Sequence, residues 1–151
     1  MKELIIREAN HYDKIQVVGL TKLWETEKIT YGFVADDYDY IADTLCFVAI
    51  LNDQVIGFIL GNIQNAKNMG SIIPDETSYF ELEEIYVIPE HRSSGIGTML
   101  FNWLELFLKS CQVTNIVLST ATKNYQKILE FYVRKLNMKV WSIRLFKNIN
   151  E

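Results

Sequence analysis

A short loop with two glycines is the stretch of this sequence best suited to bind an anion. It covers residues 92–97 and reads Arg-Ser-Ser-Gly-Ile-Gly. If a helix begins inside it, unpaired backbone N–H groups at the helix N-terminus face the loop, and the glycines let an anion come close to the main chain. Arg92 adds a positive charge. The loop therefore predicts a phosphate or pyrophosphate site, although an ordinary strand-to-helix turn would also use these glycines.

The segments on either side of the loop have the periodicity of a strand and of a helix. Residues 81–87 alternate between two faces, and Pro89, which has no N–H for a sheet ladder, ends the strand just before it. After the loop, apolar residues recur at helical spacing. They are Ile96, Met99, Leu100, Trp103, Leu104, Phe107, Leu108 and Cys111. The loop thus joins a strand to the N-terminus of an amphipathic helix.

Two familiar phosphate-binding loops do not match this stretch. A dinucleotide fingerprint needs a third glycine three residues after the second, where this chain has Leu100. A P-loop ends in Gly-Lys-Ser/Thr, but Gly97 is followed by Thr98 and Met99. Neither a dinucleotide fold nor a P-loop nucleotide site is therefore expected.

The stretch instead resembles the acyl-CoA loop of the Gcn5-related N-acetyltransferase (GNAT) family, Arg/Gln-x-x-Gly-x-Gly/Ala after an apolar-Tyr-Val-x-Pro-Glu run. Here residues 85–90 read Ile-Tyr-Val-Ile-Pro-Glu and lead into the loop. Ser93 departs from the glycine that many members carry. The resemblance covers nearly the whole chain but is specific from Glu81 to Met138. It implies the GNAT fold, an α/β mixed sheet flanked by helices, with two strands splayed apart to admit pantetheine.

By this resemblance, the acyl donor is acetyl-CoA and the loop holds its pyrophosphate. The implied cofactor-binding residues lie on the strand end, in the loop and at the start of a later helix. They are Ile85, Tyr86, Val87, Arg92, Ser93, Ser94, Gly95, Ile96, Gly97, Thr98 and Asn124. Asn124 lies one residue further from Tyr132 than the spacing usual in the family. The sequence has no metal-ligand spacing, so no metal is expected.

Transfer of an acetyl group to an amine needs a base, because a lysine-like amine with a pKa of ~10.4 is protonated at neutral pH. The resemblance puts the neighbourhood of Ile85 at the thioester. In a regular strand Glu83 and Glu81 share the face of Ile85, so Glu83 is the first candidate base and Glu81 the second. Glu84 should point to the opposite face unless a bulge re-aims it. Glutamates on a strand also commonly face water or pair with Lys or Arg.

Tyr132 is the candidate acid by the same resemblance. Residues 130–136 read Glu-Phe-Tyr-Val-Arg-Lys-Leu, similar to the family's Phe-Tyr-x-x-x-Leu-Gly-Phe, whose tyrosine approaches the CoA sulfur. A phenol with a pKa of ~10 can donate a proton or a hydrogen bond to a departing thiolate. From the residues alone, Tyr132 lies on the apolar stripe of a helix and would be a core tyrosine. No Ser/His/Asp or Cys/His arrangement is found, so direct transfer is expected rather than an acyl-enzyme.

The composition is that of one globular domain over residues 1–151. The chain is 49% hydrophobic and 23% charged, with a formal charge of -4 and a pI near 5.2. This charge argues against nucleic-acid binding, and no apolar stretch approaches the ~20 residues of a membrane span. Cys46 and Cys111 have the pattern of buried small hydrophobes. Because no signal peptide is visible, a cytoplasmic, reducing location is expected.

An aromatic and acidic region after the first helix is the candidate acceptor side. Carboxylates attract an ammonium group and aromatic faces can hold one, although a solvated loop anchored by aromatics would look the same. The region comprises Trp24, Glu25, Glu27, Tyr31, Phe33, Asp36, Asp37, Tyr38, Asp39, Tyr40 and Asp43. We therefore expect an N-acetyltransferase acting on a small cationic primary amine, such as a polyamine or an aminoglycoside. The alternatives are a non-catalytic acyl-CoA-binding regulatory module and a protein or peptide N-acetyltransferase, and a homodimer is left open.

The periodic segments follow the order strand, helix, hairpin, strand, helix, strand, helix, strand. Besides the central unit, we expect a strand over 4–7, a helix from Asp13, a hairpin of strands 45–51 and 55–61, a loop over 62–77 and a strand over 115–119. A last helix should start at Thr122 or Lys123, and residues 139–149 should form a closing strand. This order predicts a mixed sheet with helices on its faces.

Overall fold

The computed structural model describes residues 3–151, which form one five-stranded sheet. The strands occur in chain order along the sheet. They are β1 (Ile5–Glu8), β2 (Leu45–Leu51), β3 (Gln54–Asn65), β4 (Ser78–Val87) and β5 (Ile116–Leu118). Strands β1 to β4 pair antiparallel, whereas β5 runs parallel to β4. The predicted mixed sheet is confirmed.

Helices cover both faces of this sheet. They are α1 (His11–Glu27), α2 (Tyr38–Ala42), α3 (Ile96–Ser110) and α4 (Tyr125–Ile128), which continues as a π-helical segment over Leu129–Lys135. A 3₁₀ turn over Pro89–His91 follows β4. The apolar stripe of α3 packs on one face against side chains such as Phe47 and Phe80, and α1 packs on the other against Val48 and Phe58. Within residues 3–151, no helix has both the length and the apolar character needed to cross a membrane.

Helix α1 begins with a capping box. The Asn10 side chain accepts a hydrogen bond from the Asp13 N–H at 2.9 Å, and the Asp13 carboxylate accepts one from the Asn10 N–H at 2.9 Å. These bonds satisfy free donors at the helix start, so α1 begins at His11, slightly before the predicted start. Asp13 also forms an ion pair with Arg7 of β1. The ion pair ties the first turn of α1 to the edge of the sheet.

A β-bulge interrupts the pairing of β3 with β4. Leu60 lies opposite Glu84 and Gly61 lies opposite Leu82, which leaves Glu83 as an extra residue. Glycine is required at position 61, because a Cβ atom there would lie 2.0 Å from a carbonyl oxygen of β4. The close approach of the two strands at the bulge therefore depends on this one glycine.

The bulge changes which side chains of β4 share a face. Leu82 and Ile85 both pack in the core under α3, although a regular strand would put them on opposite faces. Glu81 consequently lies on the other face from Ile85, so their predicted common face is wrong. Glu84 lies on the face opposite Ile85, as predicted, and is buried beneath α1. Glu83 is exposed at the bulge itself.

The C-terminal segment differs most from its prediction. Residues 139–148 form no strand, so the predicted closing strand is wrong. An alternating apolar pattern forms a strand only where it pairs with a sheet edge, and this segment lies against loops instead. The Nε1 atom of Trp141 donates to Ser71 Oγ at 3.0 Å, and the Phe146 ring meets the Tyr31 ring edge to face. As a result Leu145 is 90% exposed.

Other element boundaries differ less. β3 continues to Asn65, so the connecting loop is shorter than predicted. β5 is limited to Ile116–Leu118. Helix α2 was not predicted from the sequence, and it begins where the Asp37 carboxylate accepts a hydrogen bond from the Tyr40 N–H at 2.9 Å. Helix α4 begins at Tyr125, close to the predicted start.

Candidate active site

A cleft opens where β4 and β5 stop pairing. The two strands pair at three positions, from Phe80 with Ile116 to Leu82 with Leu118. β4 continues to Val87, so main-chain N–H and C=O groups on this side face the cleft instead of a neighbouring strand. The cleft contains a cavity of about 470 Å³. The expected splay of these strands is confirmed.

The cavity brings together predicted residues from β4, the glycine loop, α3, the N-cap of α4 and the π-helical segment. The predicted residues that line it are Glu83, Ile85, Tyr86, Val87, Arg92, Gly97, Asn124 and Tyr132. The predicted residues outside its lining are Glu81, Ser93, Ser94, Gly95, Ile96 and Thr98. All of the second set except Glu81 are close neighbours of Gly97 along the chain, in the loop or the first turn of α3.

The glycine loop has the backbone geometry of an anion site. Ser93 and Gly95 have φ angles of 62° and 87°, and Gly95 is the N-cap of α3. Glycine takes this left-handed region without strain, whereas Ser93, where many family members have glycine, takes it at some cost. The N–H of Met99 bonds to the Gly95 carbonyl at 3.0 Å. The N–H groups before it, at the start of α3, have no intrahelical acceptor and remain for an anion.

Tyr132 is held in the cavity by the π-helical segment. The phenol is buried, and this burial raises its pKa, so it keeps its proton at neutral pH. Its neighbour Phe131 packs on the first turn of α3, where a Cβ atom at Gly97 would lie 3.2 Å from Cζ of the Phe131 ring. Gly97 therefore lets the candidate anion-binding turn and the candidate acid approach the same cavity.

The three glutamates of β4 have different surroundings. Partial burial, and then the Asp36 carboxylate, raise the pKa of Glu83, which lines the cavity. Burial also raises the pKa of Glu81. Glu84 is 8% exposed, and burial followed by a hydrogen bond with Asp36 raises its pKa to about 9. A carboxyl group that is neutral at pH 7 cannot take a proton from an ammonium group, which leaves Glu83 and Glu81 as candidate bases.

Arg92 is held by Glu27 at the end of α1. Its Nη1 and Nη2 atoms each lie 2.7 Å from a carboxylate oxygen of Glu27, and its Nε donates to the Val87 carbonyl at 2.8 Å. The guanidinium lies 5.1 Å from the centre of the Tyr86 ring, and the Tyr86 hydroxyl donates to Glu27. The hydrogen bonds from Arg92, more than any other contact, lower the pKa of Glu27. This arrangement fastens the glycine loop to α1 and leaves two of the five guanidinium N–H donors for another acceptor.

The segment after α1 lies beside the cavity, on the predicted acceptor side of the cleft. The Tyr31 N–H donates to the Ala121 carbonyl, and the Lys123 N–H donates to the Ile29 carbonyl, each at 2.9 Å. These bonds join the segment to the loop between β5 and α4. Ile29 also lines the cavity. The two hydrogen-bonded segments therefore close one side of the cleft between β4 and β5.

The aromatic residues of the predicted acceptor region form a stack beside the cavity. The Trp24 ring lies between Phe33 at 4.0 Å and Tyr86 at 5.2 Å, measured between ring centres. Several acidic residues of the region have structural partners. Glu27 binds Arg92, and Asp37 caps α2. Only some of the acidic side chains in the predicted acceptor region are therefore available to bind a ligand.

The sequence profile of the acetyltransferase (GNAT) family matches residues 12–138. The chain belongs to this family. The match extends beyond the motif from Glu81 to Met138 on which the predicted resemblance was most specific, and it includes β2 and all of α1 except its first residue. The predicted family and fold are confirmed, and the protein is an acetyltransferase of the GNAT family.

Proteins similar to this GNAT acetyltransferase carry names of two kinds. An N-alpha-acetyltransferase of Saccharolobus solfataricus is 27% identical over 142 residues, covering 91% of this chain and 81% of that protein. The aminoglycoside N-acetyltransferase AAC(6')-Iy, solved in complex with CoA, has a TM-score of 0.71 and 19% identity, with 98% and 95% of the two chains covered. An aminoglycoside acetyltransferase from an uncultured soil metagenomic sample, in complex with sisomicin, has a TM-score of 0.71 and 16% identity, with 97% and 96% covered. These structural matches show a shared fold.

Two contacts of this GNAT acetyltransferase were not predicted from its sequence. The pairing of Arg92 with Glu27 joins residues far apart in the chain. The effect of Asp36 on the pKa of Glu84 likewise connects a loop to a strand. Gly61 could have indicated the bulge that sets the position of Glu84, since a glycine inside a strand often marks a bulge. Nothing in the spacing of Glu27 distinguished it from the other acidic residues nearby.

Proposed function

We propose that this acetyltransferase transfers the acetyl group of acetyl-CoA directly to the primary amine of a small cationic acceptor. One observation carries the proposal. Glu83 and Tyr132, a carboxylate and a protonated phenol, line the same cavity, which also reaches Gly97 at the N-terminus of α3. A base, an acid and an anion site around one cavity are what acetyl transfer from a CoA thioester to an amine requires.

The donor is proposed to bind along the unpaired edge of β4. Its pyrophosphate fits the free N–H groups at the start of α3, where Gly95 and Gly97 leave the main chain accessible. The main-chain groups from Ile85 to Val87 offer partners for the amides of pantetheine. Asn124 uses its side-chain oxygen to accept the Lys127 N–H at 3.2 Å, so its side-chain N–H₂ group is the donor it can offer.

In the proposed reaction, the amine nitrogen attacks the thioester carbonyl, a C–N bond forms and the C–S bond breaks. Glu83 takes a proton from the ammonium group, directly or through water. Glu81 is the second choice for this role, since it does not line the cavity. Tyr132 gives a proton or a hydrogen bond to the departing thiolate. The amide and free CoA are the products, without a covalent acyl-enzyme.

A small cationic acceptor is supported by the walls of the cleft. Residues 29–31 and 121–123 meet across its acceptor side, which favours a compact ligand over a long chain. The stacked rings of Trp24 and Phe33 and the neighbouring carboxylates favour a positive charge. The aminoglycosides named for two solved neighbours are small molecules with several amines.

Thiol release from acetyl-CoA tests the proposal across polyamines, aminoglycosides, amino acids and peptides. We expect turnover with at least one class of small amine. Glu83→Gln should lower kcat by about 10²–10⁴-fold, the usual contribution of a general base. Tyr132→Phe should lower it less, because water can protonate a thiolate. The matched control is Glu8→Gln, since Glu8 is exposed on β1 at the opposite edge of the sheet.

The mechanism fails if no acceptor in the panel is acetylated. It also fails if turnover is undiminished in a variant that combines Glu81→Gln, Glu83→Gln and Tyr132→Phe. Loss of activity in the Glu8→Gln control would show that the substitutions act through folding and not through the cavity.

Acetylation of peptide N-termini is a second candidate function. It is supported by the similarity to an N-alpha-acetyltransferase. The same panel separates the two functions, because a peptide enzyme prefers free α-amines of peptides to polyamines. A non-catalytic CoA-binding module would instead bind CoA, lose it on Gly95→Pro and acetylate nothing.

We also propose that residues 1–151 act as one catalytic domain that forms a homodimer. Both helical layers pack on the same sheet, and the C-terminal segment exposes Leu145, Phe146 and Ile149, which a second copy would cover. The free thiols of Cys46 and Cys111 support a reducing cytoplasm. Light scattering that gives the mass of one chain would overturn the homodimer.

A further inference from the structure

Strand β5 leaves one edge of the sheet open. It is the last strand in the order of the sheet, so within residues 3–151 only its side toward β4 is paired. The Phe80 N–H donates to the Asn115 carbonyl at 2.8 Å, so the main chain of Asn115 faces β4. Because main-chain groups alternate along a strand, those of Val117 also face β4, whereas those of Ile116 and Leu118 point to the open side. The open edge therefore offers hydrogen-bonding groups to another strand.

The two outer strands of the sheet differ in how their edges are protected. Edge strands commonly carry charged side chains, which oppose pairing with another chain. β1 carries Arg7 and Glu8, and Arg7 forms an ion pair with Asp13. β5 consists of Ile, Val and Leu, and all three side chains are partly exposed. The edge of β5 therefore lacks the charges that protect the edge of β1.

The C-terminal segment, residues 139–149, has the pattern of a strand but no partner strand. Its odd-numbered residues from Trp141 to Leu145 are apolar, and polar residues stand between them, as in a strand with one face on a core. Residues 139–147 form no main-chain hydrogen bond with any other part of residues 3–151. The side chains of Leu145 and Ile149 are 90% and 85% exposed. The segment therefore offers both unpaired main-chain groups and an uncovered apolar face.

Two side-chain contacts attach this segment to the rest of the chain. The Nε1 atom of Trp141 lies 3.0 Å from Ser71 Oγ, and the Phe146 ring centre lies 5.5 Å from that of Tyr31. Both contacts are at the surface, so releasing the segment breaks little of the core. The match to the family profile ends at Met138, so the segment also lies outside the region shared with the family.

We propose that the C-terminal segment of one copy pairs with the β5 edge of a second copy, and that the two copies exchange these segments reciprocally. The inference rests on the proposed homodimer and states where its two copies meet. Each chain has one open edge and one unpaired segment, so a twofold arrangement uses both and closes the assembly.

The exchanged strand gains main-chain hydrogen bonds and apolar contacts together. Main-chain bonds provide affinity when a strand is added to a sheet edge, and alternate side chains provide specificity. Ile116 and Leu118 pack at the border of the core under α3, and the apolar face of the added strand extends that border. β5 leads into Ser119 and Thr120, which line the cavity, so the added strand also supports one wall of the cleft.

Proline substitutions in the full chain test the pairing. Adjacent residues of a strand point their N–H groups in opposite directions, so either Ile143→Pro or Arg144→Pro removes an N–H that faces the second copy. Neither N–H is bonded to another part of residues 3–151, so folding of each copy should be unchanged, which unfolding curves check. Ile143→Val and Arg144→Ala are the matched controls, because both keep the N–H.

Light scattering over a dilution series measures the effect. We expect the wild-type chain and both controls to have the mass of two chains. At least one proline variant should have a dimer dissociation constant raised by about tenfold or more, because it loses a ladder hydrogen bond and the bonds next to it.

Hydrogen exchange of single amides, measured by NMR, locates the pairing. In the dimer, the N–H groups of Ile116 and Leu118 should exchange at least about tenfold more slowly than in the dissociated proline variant. The N–H of Val117 is the internal control. It faces β4 and should exchange at the same rate in both samples.

Three results would overturn the exchange. They are a monomeric wild-type chain, a dimer that neither proline weakens, and slow exchange of Ile116 and Leu118 in a monomer. The third result would mean that the segment pairs with β5 of its own chain. A dimer that neither proline weakens leaves the homodimer standing with another interface. Acetyl transfer is measured separately with the panel of amines, so it can fail while the exchange stands, and a monomer can still be an active transferase.

Discussion

The proposed cofactor side and the proposed acceptor side of the cleft are built from different kinds of groups. On the cofactor side, one continuous stretch over residues 92–98 offers main-chain N–H groups at the start of α3. On the proposed acceptor side, residues from three separate parts of the chain contribute, namely α1, the segment before α2 and the bulge in β4. A main-chain site depends on backbone conformation, whereas a side-chain site depends on the identity of every contributor. Changes on the two sides should therefore affect the two substrates separately.

The two sides are joined at one point. The Glu27 carboxylate at the end of α1 binds Arg92 of the glycine loop and accepts the hydrogen bond of Tyr86. Tyr86 stacks on Trp24 of the acceptor side. Three substitutions, one on each side of the cleft and one at Glu27, therefore test whether the two sides act separately.

The largest effect is expected on the acceptor side at Gly61. In Gly61→Ala the new Cβ would lie 2.0 Å from a β4 carbonyl oxygen and 2.8 Å from the Phe80 ring, so the bulge or its pairing must break. We expect a loss of more than about 3 kcal/mol in the free energy of unfolding, measured with urea. Gly70→Ala is the matched control, because nothing lies within 4 Å of its Cβ, and should change stability by less than about 0.5 kcal/mol.

If Gly61→Ala were as stable as Gly70→Ala, β4 could relax without its bulge. The acceptor side would then not depend on this backbone irregularity. The orientation of Glu84 beneath α1 would need another cause.

An intermediate effect is expected on the cofactor side at Gly95. Gly95 and Gly32 both have positive φ angles, 87° and 71°, and both have open space around a Cβ atom. Alanine at either position should cost about 1 kcal/mol of unfolding free energy, because both changes put a side chain in the left-handed region. Only Gly95→Ala should weaken CoA binding, by about tenfold, since it displaces the N–H groups proposed to bind the pyrophosphate. Calorimetry with CoA measures this difference.

Gly32→Ala serves as the strain-matched control, because it lies after α1 and not in the glycine loop. A similar loss of CoA affinity in both variants would mean that general strain weakens the binding. The specific role proposed for the glycine loop in CoA binding would then be wrong.

The cofactor side was predictable from the sequence because its information is local. The strand over residues 81–87, Pro89 and the helical stripe from Ile96 are all in one stretch, and the loop joins them. The order of elements then led to the mixed sheet. A continuous motif of this kind needs no knowledge of long-range contacts.

The acceptor side was not predictable to the same degree. A one-residue bulge at Glu83 reverses the alternation that assigned Glu81 to the face of Ile85, and periodicity alone does not reveal such a bulge. The position of Asp36 depends on α1, because the Asp36 N–H donates to the Thr21 hydroxyl. Alternation over residues 139–149 was also misleading, because a strand needs an edge to pair with as well as a pattern.

The smallest effect is expected at the junction. Glu27→Gln removes the charge that binds Arg92, and because the Arg92 side chain is 36% exposed we expect a loss of about 0.5–1 kcal/mol at neutral pH. Arg92 lowers the pKa of Glu27 from its ordinary value of 4.5, so the stabilisation is present above that value and disappears as the pH falls through the lowered folded pKa. Urea midpoints at neutral and acid pH measure this difference, which should vanish in acid.

The control for the junction is Glu130→Gln, whose ion pair with Arg134 is more exposed and lies within one helical segment. It should change stability less than Glu27→Gln and leave the KM values of both substrates unchanged.

Glu27→Gln should instead raise the KM of acetyl-CoA and of the amine together, since Glu27 contacts both the loop and Tyr86. A change in only one KM would mean that Glu27 belongs to one side of the cleft. A stability loss that persists in acid would come from packing around Glu27 and not from its charge.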